Sequence, residues 1–294
     1  MTTIELKSKI VIQLQQSRSV FGGSDKKFAT SLGINNAQYS RIKNGDTEKV
    51  LSDANWISLA RRLGVTLSDA PEWKTAKTPV FEFITAQLEK CQKEGVSALL
   101  CDLSDIGKIY TAKYYTKTHK NVVYVDCSQV KSKQRLIRYI AKEFGVTSGG
   151  RYADVYEGLS CYLKTIHTPL IILDEAGDLD YAAFLEIKAL WNATEMCCGF
   201  YMMGAEGLEE KIRRSISCKK VGYAELFSRF GKRYGKAVPY AGEECEKMLR
   251  VTAILIIKAN APDNVNIQKI LTQTLGEGKL PSLRRIYKEL SKVN

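Results

Sequence analysis

No segment of the sequence approaches the roughly 18 consecutive apolar residues of a membrane-spanning helix. The first stretch, MTTIELKSKIVIQLQQSRSV, has polar residues throughout where a signal peptide needs an apolar run. Both absences lead us to expect a soluble, cytoplasmic protein with no membrane partner. The eight cysteines (Cys91, Cys101, Cys127, Cys161, Cys197, Cys198, Cys218, Cys245) include no C-x2-C pair, and only His119 and His167 could assist them as metal ligands. Reduced, mostly buried thiols are expected instead. Low-complexity tracts are also missing, so nothing argues for disorder.

What is present is the composition of a globular chain, with 45% hydrophobic and 26% charged residues. Its 294 residues exceed one ordinary core and suit a medium domain with small flanking ones. A net charge of +12 favours a polyanionic partner, because each phosphate neutralised by Lys or Arg releases a condensed counterion. Double-stranded DNA is the first candidate; a merely basic soluble protein is the alternative.

Residues 1–67 read as short helices punctuated by glycine. Within them, DKKFATSLGINNAQYSRIKNG offers a helix from Asp25 to Leu32, a turn at Gly33-Ile34-Asn35, and a second helix from Asn36 to Lys43. That is helix-turn-helix spacing. Phe28, Ala29, Leu32, Ile34 and Ile42 would pack inward, leaving Asn36, Gln38, Tyr39, Arg41 and Lys43 of the second helix for DNA. The pattern resembles the lambda-repressor-like family, with Ala29 as its small residue, Gly33 opening the turn and Ile34 following it. A small helical bundle used for protein contacts would read similarly.

Residues 68–80 carry two prolines, Pro71 and Pro79, and no sustained periodicity, so a linker is placed there. From 81 to 238 the texture changes to short apolar runs, SALLCDL, NVVYVDC, PLIILDE and GFYMMGA, each followed by a helical stretch. Buried strands alternating with helices predict an α/β domain with a parallel sheet. From 239 to 294 the strands give way to amphipathic helices such as EECEKMLRVTAILIIKANA and PSLRRIYKEL, a separate helical subdomain.

PLIILDEAGDLD sets Asp174 and Glu175 at the end of a buried strand. In P-loop ATPases an Asp there holds Mg²⁺ and a neighbouring Glu polarises the attacking water. Two acids capping the next helix are the structural alternative. Earlier in the chain, ALLCDL-SDIGK-IYTAKYY has the order strand, loop, Gly-Lys, helix. A phosphate loop reads G-x-x-x-x-G-K-[ST], wrapping phosphates in backbone N–H groups while its Lys reaches the outer oxygens. Gly107 and Lys108 fit; Asp102 and Asp105 stand where glycines are usual, and Ile109 replaces the hydroxyl that ligates Mg²⁺. Like charge and a missing ligand should weaken MgATP binding by roughly 1–3 kcal/mol each. Further on, AELFSRFGKRYG brings Arg229 and Arg233 beside apolar anchors, and PSLRRIYKEL offers Arg284 and Arg285 at a helix start. Each of these arginines could equally be a solvated charge.

Taken in order, the loop, the DE strand, GAEGLEEKI, LFSRFGKR and SLRRIYK resemble the AAA+ ATPases. Among these the chain looks most like the phage Mu B transposition-protein family, which joins a lambda-repressor-like domain to an AAA+ module with a short helical lid. The resemblance implies an AAA+ P-loop parallel sheet with helices, an N-terminal all-α helix-turn-helix domain and a C-terminal lid. It implies ATP and Mg²⁺ as cofactors, with Gly107, Lys108 and Ile109 beside the nucleotide and Asp174 toward the metal. Glu175 would be catalytic, Arg229 or Arg233 would reach a neighbouring subunit's nucleotide, and Arg284 or Arg285 would sense it from the lid. An ATP-dependent, largely non-specific DNA-binding protein that assembles as a filament on DNA and stimulates a transposase is the implied function. Two alternatives stand beside it: a nucleotide-independent DNA-binding scaffold or repressor with a degenerate ATPase site, and a remodeller acting on another protein.

Overall fold

The computed structural model describes residues 4–65, 73–239, 242–262, 265–276 and 280–292. Its centre is a parallel sheet of four short strands: β1 (Ser97–Cys101), β2 (Val122–Asp126), β3 (Leu170–Asp174) and β4 (Gly199–Gly204). The spatial order is β1-β4-β3-β2, with Ile171 facing Phe200 and Val125 facing Leu173 in register. These are the four apolar runs expected from the sequence. β3 is buried along its whole length because helices cover both faces of the sheet, which is why it reads as continuous apolar residues and not as an alternation.

The two-residue period of the strands sorts the core. Val123, Val125, Ile171, Leu173, Phe200 and Met202 face a layer built from α7 (Lys133–Glu143), α8 (Tyr152–Thr165), α9 (Tyr181–Ala193), α10 (Glu206–Ser217) and α11 (Tyr223–Arg229). Leu100, Val122, Leu170, Ile172, Tyr201 and Met203 face α5 (Pro79–Glu94) and α6 (Lys108–Thr118). Beyond β1, Gly235 adds a single rung to the sheet: Cys101 N donates to its carbonyl at 3.1 Å and its own N donates to Leu99 O at 2.7 Å.

The N-terminal helices are α1 (Ile4–Val20), α2 (Asp25–Leu32), α3 (Asn36–Lys43) and α4 (Asp53–Leu63). Ser24 caps α2, Gly33 (φ 73°) ends it in the left-handed region, and Asn35 and Gln38 exchange side-chain and backbone bonds in a capping box that starts α3. Ile10, Leu14, Phe28, Tyr39, Ile42, Trp56 and Leu59 form its core. Tyr39 corrects one expectation: it is fully buried, edge-on to Phe28, because it lies one helical turn before Ile42 on the packing side of α3. It offers no side chain to DNA. The unit rests on the sheet domain through α6 and α7, where Lys27 Nζ sits 3.3 Å from the Tyr162 ring centroid.

Part of the linker expected at 68–80 lies outside the described residues. Residues 73–78 have no regular secondary structure and lead into α5, which starts at Pro79. The C-terminal helices α12 (Glu243–Asn260), α13 (Ile267–Gln273) and α14 (Leu283–Leu290) share a small core of Ala253, Ile257, Ile270, Leu271, Ile286 and Leu290. Among the described residues, no helix is long and apolar enough to cross a membrane. All eight cysteines are free, and five of them are buried.

Candidate nucleotide site and nucleic-acid face

The mouth of the sheet, at the carboxyl ends of β1 and β3, is where a parallel fold offers backbone N–H groups and loop side chains to a ligand. Gly107 takes φ 100°, a conformation open to glycine, and so turns the chain directly into α6 with Lys108 as its first residue. The positive end of α6 is thereby aimed into the cleft. Lys108 is 7% exposed, and its ammonium donates to the carbonyls of Asp102, at 3.0 Å, and of Leu103. This braces the loop from within. Burial pushes the Lys108 ammonium below its ordinary range, while Asp102, Asp174 and Glu175 pull the other way.

Asp174 ends β3 fully buried. Its Oδ2 accepts from the Tyr124 hydroxyl at 2.5 Å and its Oδ1 from Glu175 N at 2.9 Å. Burial raises the Asp174 carboxyl, and the Tyr124 and backbone bonds offset part of that rise. Glu175 follows in the left-handed region (φ 48°), which turns its carboxylate out to the cleft; burial and the neighbouring Asp174 raise it too. Gly107, Lys108 and Glu175 thus line one cavity of about 480 Å³, together with Ile109, Ala205 and Arg284.

The far half of that cavity is apolar. Trp73 and Tyr287 meet with ring centroids 5.3 Å apart, and Phe81, Ile256 and Leu283 complete the wall. Asn260 binds both backbone groups of Lys74, at 2.8 and 3.0 Å, tying the segment before α5 to α12. Volume and lining suit a nucleoside, and the α6 terminus with Lys108 suits a phosphate. Mg²⁺ does not find its usual set: Ile109 supplies no oxygen, and among the described residues no cluster of three or more His, Cys, Asp or Glu is placed to hold a metal.

The two unusual aspartates do different things. Asp102 is buried and does not line the cavity; its Oδ2 accepts from Ala237 N at 2.5 Å and Val238 N at 3.0 Å, and its Oδ1 from Leu103 N at 2.7 Å. The expectation that it charges the triphosphate site is therefore corrected: it pins the strand rung at Gly235 beside β1. Asp105 does line the cavity, and it bonds the start of α14. Its Oδ2 accepts from Ser282 Oγ at 2.7 Å.

The arginines divide as well. Arg284 lines the cavity, whereas Arg285 turns back to Leu275 O at 2.7 Å. Arg229 is held in its own chain by Asn192 Oδ1 at 2.7 Å and Glu225 O at 2.8 Å, over the face of Trp191. Arg233 is exposed. Neither Arg229 nor Arg233 lines the cavity.

On the N-terminal unit, α3 carries Asn36, Arg41 and Lys43 on its exposed side. Gln38 is committed to the capping box, Arg41 pairs with Asp46 at 2.7 Å and Lys43 with Asp25 at 3.0 Å. Tyr124, Ser282 and Asn260 carry structure around the site that was not singled out from sequence. Tyr124 lies in the middle of β2 and Asp174 ends the neighbouring β3, and no local pattern links them.

Residues 91–212 match the family model described as an AAA domain. The chain is also 26% identical over 228 residues to the Mu-like prophage FluMu DNA transposition protein B of Haemophilus influenzae, covering 76% of this chain and 78% of that protein. The matched segment runs from the end of α5 through the Gly107–Lys108 turn and β3 to α10. The parallel sheet and its phosphate-loop-like turn thus lie within a segment similar to an AAA domain, in a chain similar over three-quarters of its length to that transposition protein B.

Proposed function

We propose that this chain is an ATP-dependent, largely non-specific DNA-binding AAA+ factor that assembles on DNA and regulates transposition, including target selection and activation of a transposase. The observation that carries the reading is the shared cavity of Gly107, Lys108, Glu175 and lid Arg284, in a chain similar along three-quarters of its length to a DNA transposition protein B. Bound ATP supplies a phosphoanhydride for hydrolysis and a charge that differs before and after it. The chain's own part is binding and gating. Lys108 and the α6 terminus take phosphate, the Trp73–Tyr287 wall takes the base, and the lid excludes water. Glu175 is the exposed carboxylate at the mouth that can accept a proton from attacking water. Turnover should be slow, because Ile109 leaves the metal without a protein hydroxyl. We assign Arg233 the reach toward a neighbouring subunit, since Arg229 is already held within its own chain.

DNA would meet the basic excess of +12 and the exposed side of α3. The test is binding of the full chain to unrelated duplexes with and without ATP, across a salt series. Steep loss with salt and tighter binding with ATP support the reading. A second reading, a nucleotide-independent DNA-binding scaffold, is favoured by Ile109 and by the contact of Asp105 with the lid; it requires that ATP change nothing.

A further inference from the structure

The phosphate loop and the lid are joined through an aspartate that belongs to the loop. Asp105 takes φ 60° and is a quarter exposed. Its Oδ2 accepts from Ser282 Oγ at 2.7 Å and faces Arg284 N at 3.5 Å; its Oδ1 lies 3.9 Å from Arg284 Nε. Ser282 is the N-cap of α14, accepting from Arg285 N at 3.3 Å. One carboxylate therefore occupies the positive end of the lid helix, its capping hydroxyl and its cavity-facing guanidinium together. Those are the groups that would otherwise be offered to an anion in this cleft.

Nearby geometry fixes where that charge sits. Leu283, between the two lid residues that meet Asp105, packs over Gly107, with its Cδ1 3.8 Å from where a Cβ of Gly107 would lie. Asp105 thus stands between the Gly107 turn and α14, on the path from the phosphate loop to Arg284. A nucleotide held by Lys108 brings its phosphates to this point. Each added phosphate charge meets the carboxylate and competes with it for Arg284.

We propose that Asp105 is a specificity-determining residue that stands in for a phosphate at the lid, so that each added phosphate charge on a bound nucleotide gains less affinity than it would without this carboxylate. The proposal rests on the cavity being a nucleotide site.

Asp105→Asn tests it, because Asn tolerates the left-handed backbone and keeps an oxygen for Ser282 while removing the charge. The measurement is calorimetry of the full chain with adenosine, AMP, ADP and ATP, without added metal. Expected is a graded gain in the variant: unchanged adenosine, an intermediate gain for AMP and ADP, and roughly tenfold or more for ATP. Ser282→Ala is the comparison variant; it weakens the lid contact yet leaves the charge, so it should shift all four ligands by a similar factor and keep the wild-type ranking.

Equal gains for all four ligands in Asp105→Asn would overturn the proposal, since Asp105 would then act through lid geometry alone. So would a wild-type preference for ATP over adenosine that Asn does not enlarge. If none of the four binds wild type or either variant while circular dichroism shows them folded, the nucleotide-site reading itself fails, a result distinct from equal gains.

Discussion

Asp102 carries the sharpest consequence at the scale of single residues. A buried carboxylate accepting from three backbone N–H groups leaves all three unsatisfied when it is removed. Asp102→Ala should lower unfolding stability by roughly 2–5 kcal/mol, read as a lower urea midpoint, without raising ATP affinity. A gain in ATP affinity would return Asp102 to the phosphate site. Ile109 has the opposite character. It is 38% exposed at the cavity and packs little, so Ile109→Thr should fold as well as wild type while offering the missing oxygen. The variant should acquire an ATP affinity that rises several-fold with Mg²⁺, consistent with about 1 kcal/mol for one added charge-assisted contact. Adding Glu175→Gln should keep that binding and stop turnover. Turnover that survives the Gln would remove Glu175 from catalysis. From sequence Asp102 and Asp105 looked alike, because their partners lie far along the chain: Ala237 and Val238 for Asp102, Ser282 and Arg284 for Asp105.

At the scale of elements, local signals did most of the work. The bounds of α2 and α3 follow directly from Ser24, Gly33 and Asn35, whose side chains or φ freedom satisfy helix-end groups within a few residues. The four strands were legible for a similar reason: a strand buried on both faces must be continuously apolar. Tyr39 was legible in principle, one turn from Ile42, but its hydroxyl disguised a core position. The rung at Gly235 has no comparable local mark. For α3 the exposed charges now specify the variant to make. Gln38 should be left alone, since losing its capping box would cost about 1 kcal/mol of helix stability and blur the result. Arg41→Ala with Lys43→Ala should keep helicity and reduce DNA affinity roughly three- to tenfold, with the salt slope falling by about two. Unchanged affinity with intact helicity would make α3 a protein-contact surface. Asp25 adds a pH signature. Bonds from Arg18 and Lys43 hold its carboxyl below the ordinary 3.8. Its contribution to stability is therefore present above that value and lost as pH falls through the depressed one, and it is small because the pair is exposed.

On the scale of the whole molecule, the N-terminal unit is seated on the sheet domain and does not hang free of it. α1 reaches α6 and α2 reaches α7, so the unit straddles the open edge at β2. The helix that follows the phosphate loop is thus in contact with the helices that carry α3. A shift of α6 on phosphate binding would reach α3 through its contact with α1, a route that the proposed ATP-dependent DNA binding could use. Gly145 marks the seat: at φ 68° it ends α7, and a Cβ there would collide with the backbone carbonyl of Lys27 on α2. Gly145→Ala should unseat the N-terminal unit at a local cost of about 1 kcal/mol for the left-handed backbone. Small-angle scattering should show a larger radius of gyration, while the two hydrophobic cores, which share no residue, keep the helical content of wild type. If seating transmits the nucleotide state, the same variant should still bind DNA, and with equal affinity in the presence and absence of ATP. Retained ATP dependence in an unseated variant would mean that the signal passes between subunits, and not through α6 within one chain.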